Sequence, residues 1–136
     1  MLQKTLIILK PDSVAGGKIG KILSVFEENN LKISALKMTK MSKELAEFFY
    51  WVHRDKPFFE ELTTWMSSYP VVVAVIEGVD ALSKVAELVG ATDPAEAKQG
   101  TIRAMFGSSV GCNAIHRSDS EESAKREIGI FFPELC

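Results

Sequence analysis

Residues 71–76 restrict the fold of this chain more than any other segment. They are six consecutive apolar residues, most of them β-branched, and Pro70 directly precedes them. β-Branched side chains favour strands. A strand without polar alternation is typical of one that is buried on both faces. The run therefore predicts a central strand of a sheet.

Shorter patterns predict three further strands. Residues 5–9 contain the apolar run Leu6-Ile7-Ile8-Leu9, which Lys10-Pro11-Asp12 stops, so they predict a buried strand. Residues 31–35 alternate between apolar and polar, as in a strand with one buried face. A short strand is expected over residues 113–116. Lys10 would then lie where the first strand leaves the core.

Apolar residues at helical spacing predict helices between these strands. The first four segments are 19–26, 45–52, 58–65 and 82–89. Ser42 would be the N-cap of the second, and Pro57 would lie in the first turn of the third. A last helix would carry Ala124, Ile128 and Phe131 and begin with Ser118 and Glu121 as a capping box. Residues 90–111 show no sustained period, which predicts a long functional loop.

This order of elements contains two βαβ halves. It predicts an α/β (α+β) fold of ferredoxin-like βαββαβ type, in which a four-stranded antiparallel sheet has helices packed on it. The chain has 136 residues, and single domains commonly contain about 100 to 200. We therefore expect residues 1–136 to form one domain.

Charge and cysteine content exclude several classes of protein. Sixteen Lys and Arg against eighteen Asp and Glu give a net charge of −2, which argues against nonspecific nucleic-acid binding. Cys112 and Cys136 are too few for a disulfide framework and lie in no zinc-binding pattern. No apolar run approaches the roughly 20 residues of a membrane helix. The sequence predicts a cytoplasmic protein without nucleic-acid or membrane partners.

His116 is the strongest candidate for chemistry. It lies at the end of a predicted strand, with Ser118, Asp119 and Glu127 near it in sequence. An imidazole can act as nucleophile, base or metal ligand, although a lone histidine beside a strand is more often structural. His53, the other histidine, is expected to be a solvated surface residue.

Other residues are of the kinds that hold phosphates and bases. Lys10, Thr92 and Arg103 could donate hydrogen bonds to phosphates. No glycine-rich phosphate loop is present, so side chains would have to grip the phosphates. One of Phe58 and Phe59 could stack on a nucleobase, and the other would belong to the core.

Several ordered motifs resemble those of the nucleoside diphosphate kinase family. They extend from about residue 5 to residue 132 and comprise Lys10-Pro11-Asp12, the segment 50–59 ending in Lys56-Pro57-Phe58-Phe59, Gly90-Ala91-Thr92-Asp93-Pro94, Gly100-Thr101-Ile102-Arg103, and Asn113-Ala114-Ile115-His116-Arg117-Ser118-Asp119. The resemblance implies transfer of a γ-phosphoryl group from a nucleoside triphosphate, typically ATP, to a nucleoside diphosphate. The cycle would be ping-pong through a phosphohistidine.

The resemblance also implies residue roles. His116 would be the nucleophile, and Glu127 would accept a hydrogen bond from the other ring nitrogen. The remaining roles are phosphate contacts by Lys10, Tyr50, Thr92 and Arg103, base contacts by Phe58 and Val110, and sugar contacts by Lys10 and Asn113. Mg²⁺ would be the cofactor, held by the phosphates and not by a protein metal site. A homo-oligomer, either a tetramer or a hexamer, is also implied.

Three positions depart from the family pattern. Ala86 stands where the family usually has a phosphate-binding arginine, while Arg117 and Tyr69 stand where glycine is usual. Loss of one phosphate contact predicts weaker nucleotide binding or slower transfer. Arg117 is a candidate to supply the missing charge, although alternation along a strand would point it away from His116.

Two alternatives to an active kinase stay open at the level of sequence. One is a homologue of low activity that binds nucleotides or proteins, and the three departures favour it. The other is a ferredoxin-like interaction domain with an incidental histidine. Nucleotide binding without a phosphohistidine would indicate the first, and neither property would indicate the second.

Overall fold

The computed structural model describes residues 1–135, and a four-stranded antiparallel sheet lies at its centre. Strands β1 (Leu2–Leu9), β2 (Lys32–Thr39), β3 (Val71–Val79) and β4 (Ile115–Arg117) are arranged in the order β2-β3-β1-β4. The two inner strands are β1 and β3, and β1 pairs along its whole length with residues 72–79 of β3. This topology confirms the predicted ferredoxin-like fold. Cys136 lies outside the described residues.

Helices cover both faces of the sheet. The helices are α1 (Pro11–Ala15), α2 (Ile19–Glu28), α3 (Lys43–Phe49), α4 (Phe59–Met66), α5 (Ala81–Val89), α6 (Ile102–Phe106) and α7 (Glu121–Phe131). Residues of α2, α5 and α6 form one apolar cluster with the sheet. Residues of α3, α4 and α7 form the other on the opposite face. We call these the α5 face and the α7 face.

Strand β3 confirms the prediction made from residues 71–76. Alternate side chains of this run enter the two clusters, with Val72 and Ala74 on the α5 face and Val73 and Val75 on the α7 face. The whole run is buried. An unbroken apolar sequence is required because both sides of the strand are inside the protein.

The prediction that β2 buries one continuous face was wrong. The pairing of β2 with β3 shifts between Ile33 and Ala35, which marks a bulge at Ser34. A bulge adds one residue, so the alternation of side chains restarts on the other side. Ile33 therefore packs on the α5 face, and Ala35 packs on the α7 face.

Two predicted helices have different limits in the structure. Helix α3 ends at Phe49, and the tighter 3₁₀ turn Trp51–His53 follows it. Phe48 and Val52 consequently face outward, where the sequence predicted a buried stripe. Helix α4 begins at Phe59, so Pro57 precedes the helix and does not lie in its first turn as predicted. The loop expected over residues 90–111 contains a 3₁₀ turn, Pro94–Glu96, and helix α6.

The capping-box prediction for the last helix was also wrong. Helix α7 begins at Glu121, and Ser120 is its N-cap, with its hydroxyl accepting a hydrogen bond from the Ser123 amide at 3.0 Å. Ser118 is completely buried two residues earlier. Its hydroxyl has another partner in the site described below.

Candidate active site

His116 lies in the short edge strand β4 and faces α3 and α7. It pairs with Ile8 of β1, whose side chain belongs to the core on the α7 face. The rings of Phe49 and Tyr50 stand edge-on to the imidazole, with ring centroids 5.1 Å and 5.7 Å away. Aromatic contacts of this geometry are favourable and limit how far the ring can turn.

Glu127 of helix α7 orients the imidazole. The distance between His116 Nε2 and Glu127 Oε1 is 2.9 Å, and both side chains are largely shielded from solvent. A carboxylate can only accept hydrogen bonds, so Nε2 carries the proton and donates a hydrogen bond to Glu127. The other ring nitrogen, Nδ1, then keeps its lone pair and can act as a nucleophile.

Ser118 also belongs to the site, although no role there was predicted for it from the sequence. Its hydroxyl donates to the same Glu127 oxygen at 2.7 Å, so two donors hold this oxygen. The bond connects the end of β4 to the second turn of α7, nine positions further along the chain. Both residues can be read from the sequence, but no local sequence pattern predicts that their side chains form a hydrogen bond.

Lys10 reaches the site from the end of β1. Its side chain is buried, and Nζ donates to Asn113 Oδ1 at 2.8 Å. The ammonium also lies 5.9 Å from the centre of the Trp65 ring. Burial and, to a smaller extent, the positive charge of Arg103 lower the pKa of Lys10 to about 8, although the charges of Asp12 and Cys112 oppose this shift.

Arg103 lies in helix α6 and is buried. Its guanidinium donates to the backbone carbonyls of Gly90 at 3.1 Å and Ile115 at 2.9 Å. Its Nε has no partner within residues 1–135. Burial lowers the pKa of Arg103 to about 10, and the nearby charge of Arg117 acts in the same direction. Among residues 1–135, neither Lys10 nor Arg103 forms an ion pair with a carboxylate.

Tyr50 follows helix α3 directly and lies beside His116. Burial raises the pKa of its hydroxyl, and the charge of Glu127 adds to the effect, so the hydroxyl stays protonated at neutral pH. Within the part of the chain that the structure describes, the hydroxyl has no hydrogen-bond partner. It is therefore available to donate to a ligand.

Asn113 connects two of the predicted phosphate residues. Its side chain accepts from Lys10 and donates to the backbone carbonyl of Thr92 at 3.0 Å. Thr92 itself is exposed in the segment between α5 and the turn Pro94–Glu96. Contacts and charge interactions therefore bring together Lys10, Tyr50, Arg103, Asn113, His116 and Glu127, with Thr92 joined through its backbone.

The two predicted base contacts lie on the surface. Phe58 is 46% exposed, whereas Phe59 packs against the core of the α7 face, as one of the pair was expected to. The His53 ring lies 5.5 Å from the Phe58 ring and is half-buried, so the prediction that His53 is a solvated surface residue was wrong. Burial of His53 lowers its pKa, as do the charges of Lys56 and His116. Val110 is exposed as well.

Arg117 and Ala86 line the same cavity. The cavity has a volume of about 650 Å³ and opens beside the end of helix α5. Arg117 pairs with Ile7, whose side chain is on the α5 face, so Arg117 points away from His116 as strand alternation predicted. The exposed carboxylates Glu87 and Glu96 also line the cavity, but neither forms an ion pair with Arg117 among residues 1–135.

The fold and these contacts can now be compared with known proteins. The model of the nucleoside diphosphate kinase family matches residues 3–135. The chain belongs to the nucleoside diphosphate kinase family. A family member from Chlamydia pneumoniae is 54% identical over 134 residues, which are 98% of this chain and 93% of that protein. Another from Campylobacter jejuni is 55% identical over 137 residues, covering 99% of this chain and all of that protein.

Solved structures of nucleoside diphosphate kinases have the same fold. The Aquifex aeolicus enzyme matches with a TM-score of 0.97 at 50% identity, covering 99% of this chain and 98% of that one. The Halobacterium salinarum enzyme, solved in complex with CDP, matches with a TM-score of 0.93 at 42% identity, covering 97% and 88%. In residues 1–135, moreover, no helix has the length and apolar character needed to cross a membrane.

Proposed function

We propose that His116 carries the phosphoryl group in the reaction of this enzyme. The enzyme is a nucleoside diphosphate kinase, which transfers the γ-phosphoryl group of a nucleoside triphosphate to a nucleoside diphosphate through a phosphohistidine. The assignment depends on one observation, the 2.9 Å hydrogen bond between His116 Nε2 and Glu127 Oε1. This bond fixes the ring and leaves Nδ1 as the nucleophilic nitrogen.

The first half of the cycle follows from this geometry. Nδ1 attacks the γ-phosphorus, the bond from that phosphorus to the bridging oxygen breaks, and the electron pair leaves with the nucleoside diphosphate. The ring then carries phosphorus on Nδ1 and hydrogen on Nε2, and so it is positively charged. Glu127 lies where its negative charge stabilises this ring.

The second half reverses these steps with another nucleotide. A terminal phosphate oxygen of the acceptor diphosphate attacks the phosphorus, and the Nδ1–phosphorus bond breaks to restore the lone pair. Because both halves use the same groups, no residue has to change its role between them. Covalent catalysis thus divides one transfer into two similar ones.

Four residues are proposed to hold the phosphates. Lys10 and Arg103 would neutralise the charge that spreads over the phosphate oxygens during transfer, and Tyr50 and Thr92 would donate hydroxyl hydrogen bonds. The buried Tyr50 hydroxyl and Arg103 Nε, which have no partner among residues 1–135, support this proposal. Positioned cations and donors of this kind do most of the catalytic work in phosphoryl transfer.

Mg²⁺ is the proposed cofactor, held by phosphate oxygens of the nucleotide. Bound there, it would neutralise phosphate charge. The groups around His116 suit such an arrangement because they are cations and hydroxyls that can bind phosphate oxygens directly. Residues 1–135 contain no cluster of three His, Cys, Asp or Glu side chains that could hold the ion.

The nucleoside is proposed to bind by stacking and by sugar contacts. The exposed ring of Phe58 would take one face of the base and Val110 the other, while Lys10 and Asn113 would contact the sugar hydroxyls. Stacking tolerates every base because each base has a π-face. Broad nucleotide specificity would follow.

Arg117 is proposed to replace a phosphate contact that Ala86 cannot make. The two residues line one cavity, and the charge of Arg117 acts on Arg103. Its Nε is buried and has no partner within the described chain. Within residues 1–135 neither Arg103 nor Arg117 forms an ion pair, and two such neighbouring arginines favour binding of an anion. Tyr69 is exposed, and nothing in the structure explains its presence where the family usually has glycine.

The single domain, residues 1–136, is also proposed to form a homo-oligomer in the cytoplasm. Edge strand β2 carries Leu36 and Met38, which are 52% and 58% exposed. An open strand edge with apolar side chains is a usual place for subunits to pair. The free cysteine Cys112 and the nucleotide substrates support the location. Native mass spectrometry would distinguish a tetramer from a hexamer.

Intact mass spectrometry tests the central proposal. The protein would be incubated briefly with ATP and Mg²⁺, and then with a different nucleoside diphosphate. We expect one added phosphoryl group that the diphosphate removes. His116→Ala should form no adduct, whereas His53→Ala, which removes the chain's other histidine, should still form one.

Other outcomes have distinct meanings. An adduct that persists in His116→Ala would show that another residue is phosphorylated. Nucleotide binding without any adduct would instead favour the homologue of low activity that acts as a binding module. Ala86 and Arg117 would then be the first residues to exchange.

A further inference from the structure

Ala114, two residues before His116, has an unusual backbone conformation. Its φ is 78°, and it is fully buried. An L-residue other than glycine is uncommon at positive φ because its Cβ crowds the backbone. Alanine has no polar side chain that could compensate locally, so the rest of the structure must hold this conformation.

Three hydrogen bonds from residues 10–13 hold both backbone groups of Ala114. The Lys10 amide and the Ser13 hydroxyl donate to the Ala114 carbonyl at 3.0 Å and 2.8 Å. The Ala114 amide donates to Asp12 Oδ2 at 3.1 Å. Ser13 is 2% exposed, and its hydroxyl makes no other hydrogen bond within residues 1–135.

This conformation sets where β4 begins. Ile115 and His116 follow at once and pair with Leu9 and Ile8 of β1. If Ala114 relaxed to negative φ, the chain would enter β4 in a different direction. The His116 ring would then move relative to Glu127, which holds it at 2.9 Å. Strained backbone at functional sites commonly has this purpose.

We propose that Ser13 is a positioning residue for phosphoryl transfer, because its hydroxyl, with the Asp12 carboxylate, holds Ala114 at positive φ and so places His116. The proposal rests on the assignment of His116 as the nucleophile. Ser13 need not touch the nucleotide, since its hydroxyl is used by the Ala114 carbonyl.

The test combines Ser13→Ala with Ala114→Gly. Single-turnover phosphorylation by ATP and Mg²⁺ gives the rate constant, nucleotide titration gives the dissociation constant, and thermal unfolding reports folding. Ser13→Ala should slow phosphorylation about fivefold to tenfold, the factor typical of one hydrogen bond, with an unchanged dissociation constant. Ser13→Cys, whose thiol is a weaker donor of similar shape, should give an intermediate rate.

Ala114→Gly distinguishes positioning from a merely structural role. Glycine adopts positive φ without crowding. In the Ser13→Ala background, Ala114→Gly should therefore restore most of the lost rate. Ser24→Ala is the matched control, because this hydroxyl also donates to a backbone carbonyl at 2.8 Å but lies in helix α2. Its rate should equal that of the wild type.

Two results would overturn the proposal. One is an unchanged phosphorylation rate in Ser13→Ala. The other is a slow Ser13→Ala variant whose phosphorylation rate is not raised, or is lowered further, by Ala114→Gly. Glycine would then only add backbone flexibility. A wrong assignment of His116 would give a different result. The His116→Ala variant would then still form the phosphoryl adduct, and the wild type would be phosphorylated at its normal rate.

Discussion

Replacing Glu127 with glutamine tests how the carboxylate acts on His116. Glu127 Oε1 accepts hydrogen bonds from His116 Nε2 at 2.9 Å and from the Ser118 hydroxyl at 2.7 Å, and the residue is 8% exposed. Glutamine has the same length and keeps an oxygen that can accept both bonds. The substitution therefore removes the charge and leaves the geometry.

The size of the effect follows from the loss of charge assistance. A hydrogen bond to a charged group typically contributes about 1.5–3 kcal/mol, against about 0.5–1.5 kcal/mol for a neutral pair. For the bond to His116, the difference is about 1–1.5 kcal/mol, and about 1.36 kcal/mol corresponds to tenfold in rate. Since the ring becomes positive as the bond to phosphorus forms, the loss falls on the transition state. We expect phosphorylation to slow about fivefold to tenfold.

The assay is rapid quenching after a single addition of ATP and Mg²⁺, with the adduct followed by intact mass. Glu122→Gln is the matched control, because it removes the same charge from the exposed first turn of the same helix. Its rate should not change. If Glu127→Gln also reacted at the wild-type rate, or if only its KM rose, the carboxylate would not stabilise the reacting ring.

Three further predictions concern the nucleotide site. Because the pKa of Lys10 is about 8, the free enzyme loses the positive charge of Lys10 as the pH rises through 8. Nucleotide binding, measured by calorimetric titration, should therefore weaken above pH 8. The Lys10→Arg variant stays charged, so it should bind nucleotide equally well below and above pH 8. Phe58→Ala should raise the dissociation constant about fivefold or more, since stacking contributes about 1–3 kcal/mol per base, and a loss confined to purines would contradict the stacking role. Arg117→Gly should lower kcat/KM and Ala86→Arg should raise it, and unchanged steady-state values in both variants would dismiss the anion-binding role of Arg117.

The inner part of the fold could be predicted from sequence because its signal is local. Residues 71–76 and 6–9 are apolar on both faces, and the structure buries both faces. The bulge at Ser34 had no comparable signal, because it is defined by the pairing of β2 with β3 and not by β2 alone. Strand pairing depends on residues about 40 positions away, as the bond from Ser34 to the Val75 carbonyl illustrates.

For the site, resemblance identified residue types that periodicity could not. The position of His116 at a strand end was predictable, but Ser118, which bonds the same Glu127 oxygen, was mistaken for a helix cap because serine three residues before glutamate is a common cap pattern. Tertiary structure decided otherwise, since Ser118 bonds Glu127 and Ser120 caps the helix. The positive φ of Ala114 was invisible, because alanine has no local preference for that conformation.

The buried hydroxyl of Tyr50 should lower the stability of the free protein while it supports phosphoryl transfer. A buried polar group without a partner costs about 1–3 kcal/mol of folding free energy. Tyr50→Phe should therefore raise the free energy of unfolding of the free protein while slowing transfer, as measured by denaturant titration and by turnover. Nucleotide should then protect the wild type from unfolding more than it protects Tyr50→Phe, because a phosphate oxygen would accept the tyrosine proton. Selection for the most stable chain alone would favour phenylalanine at position 50.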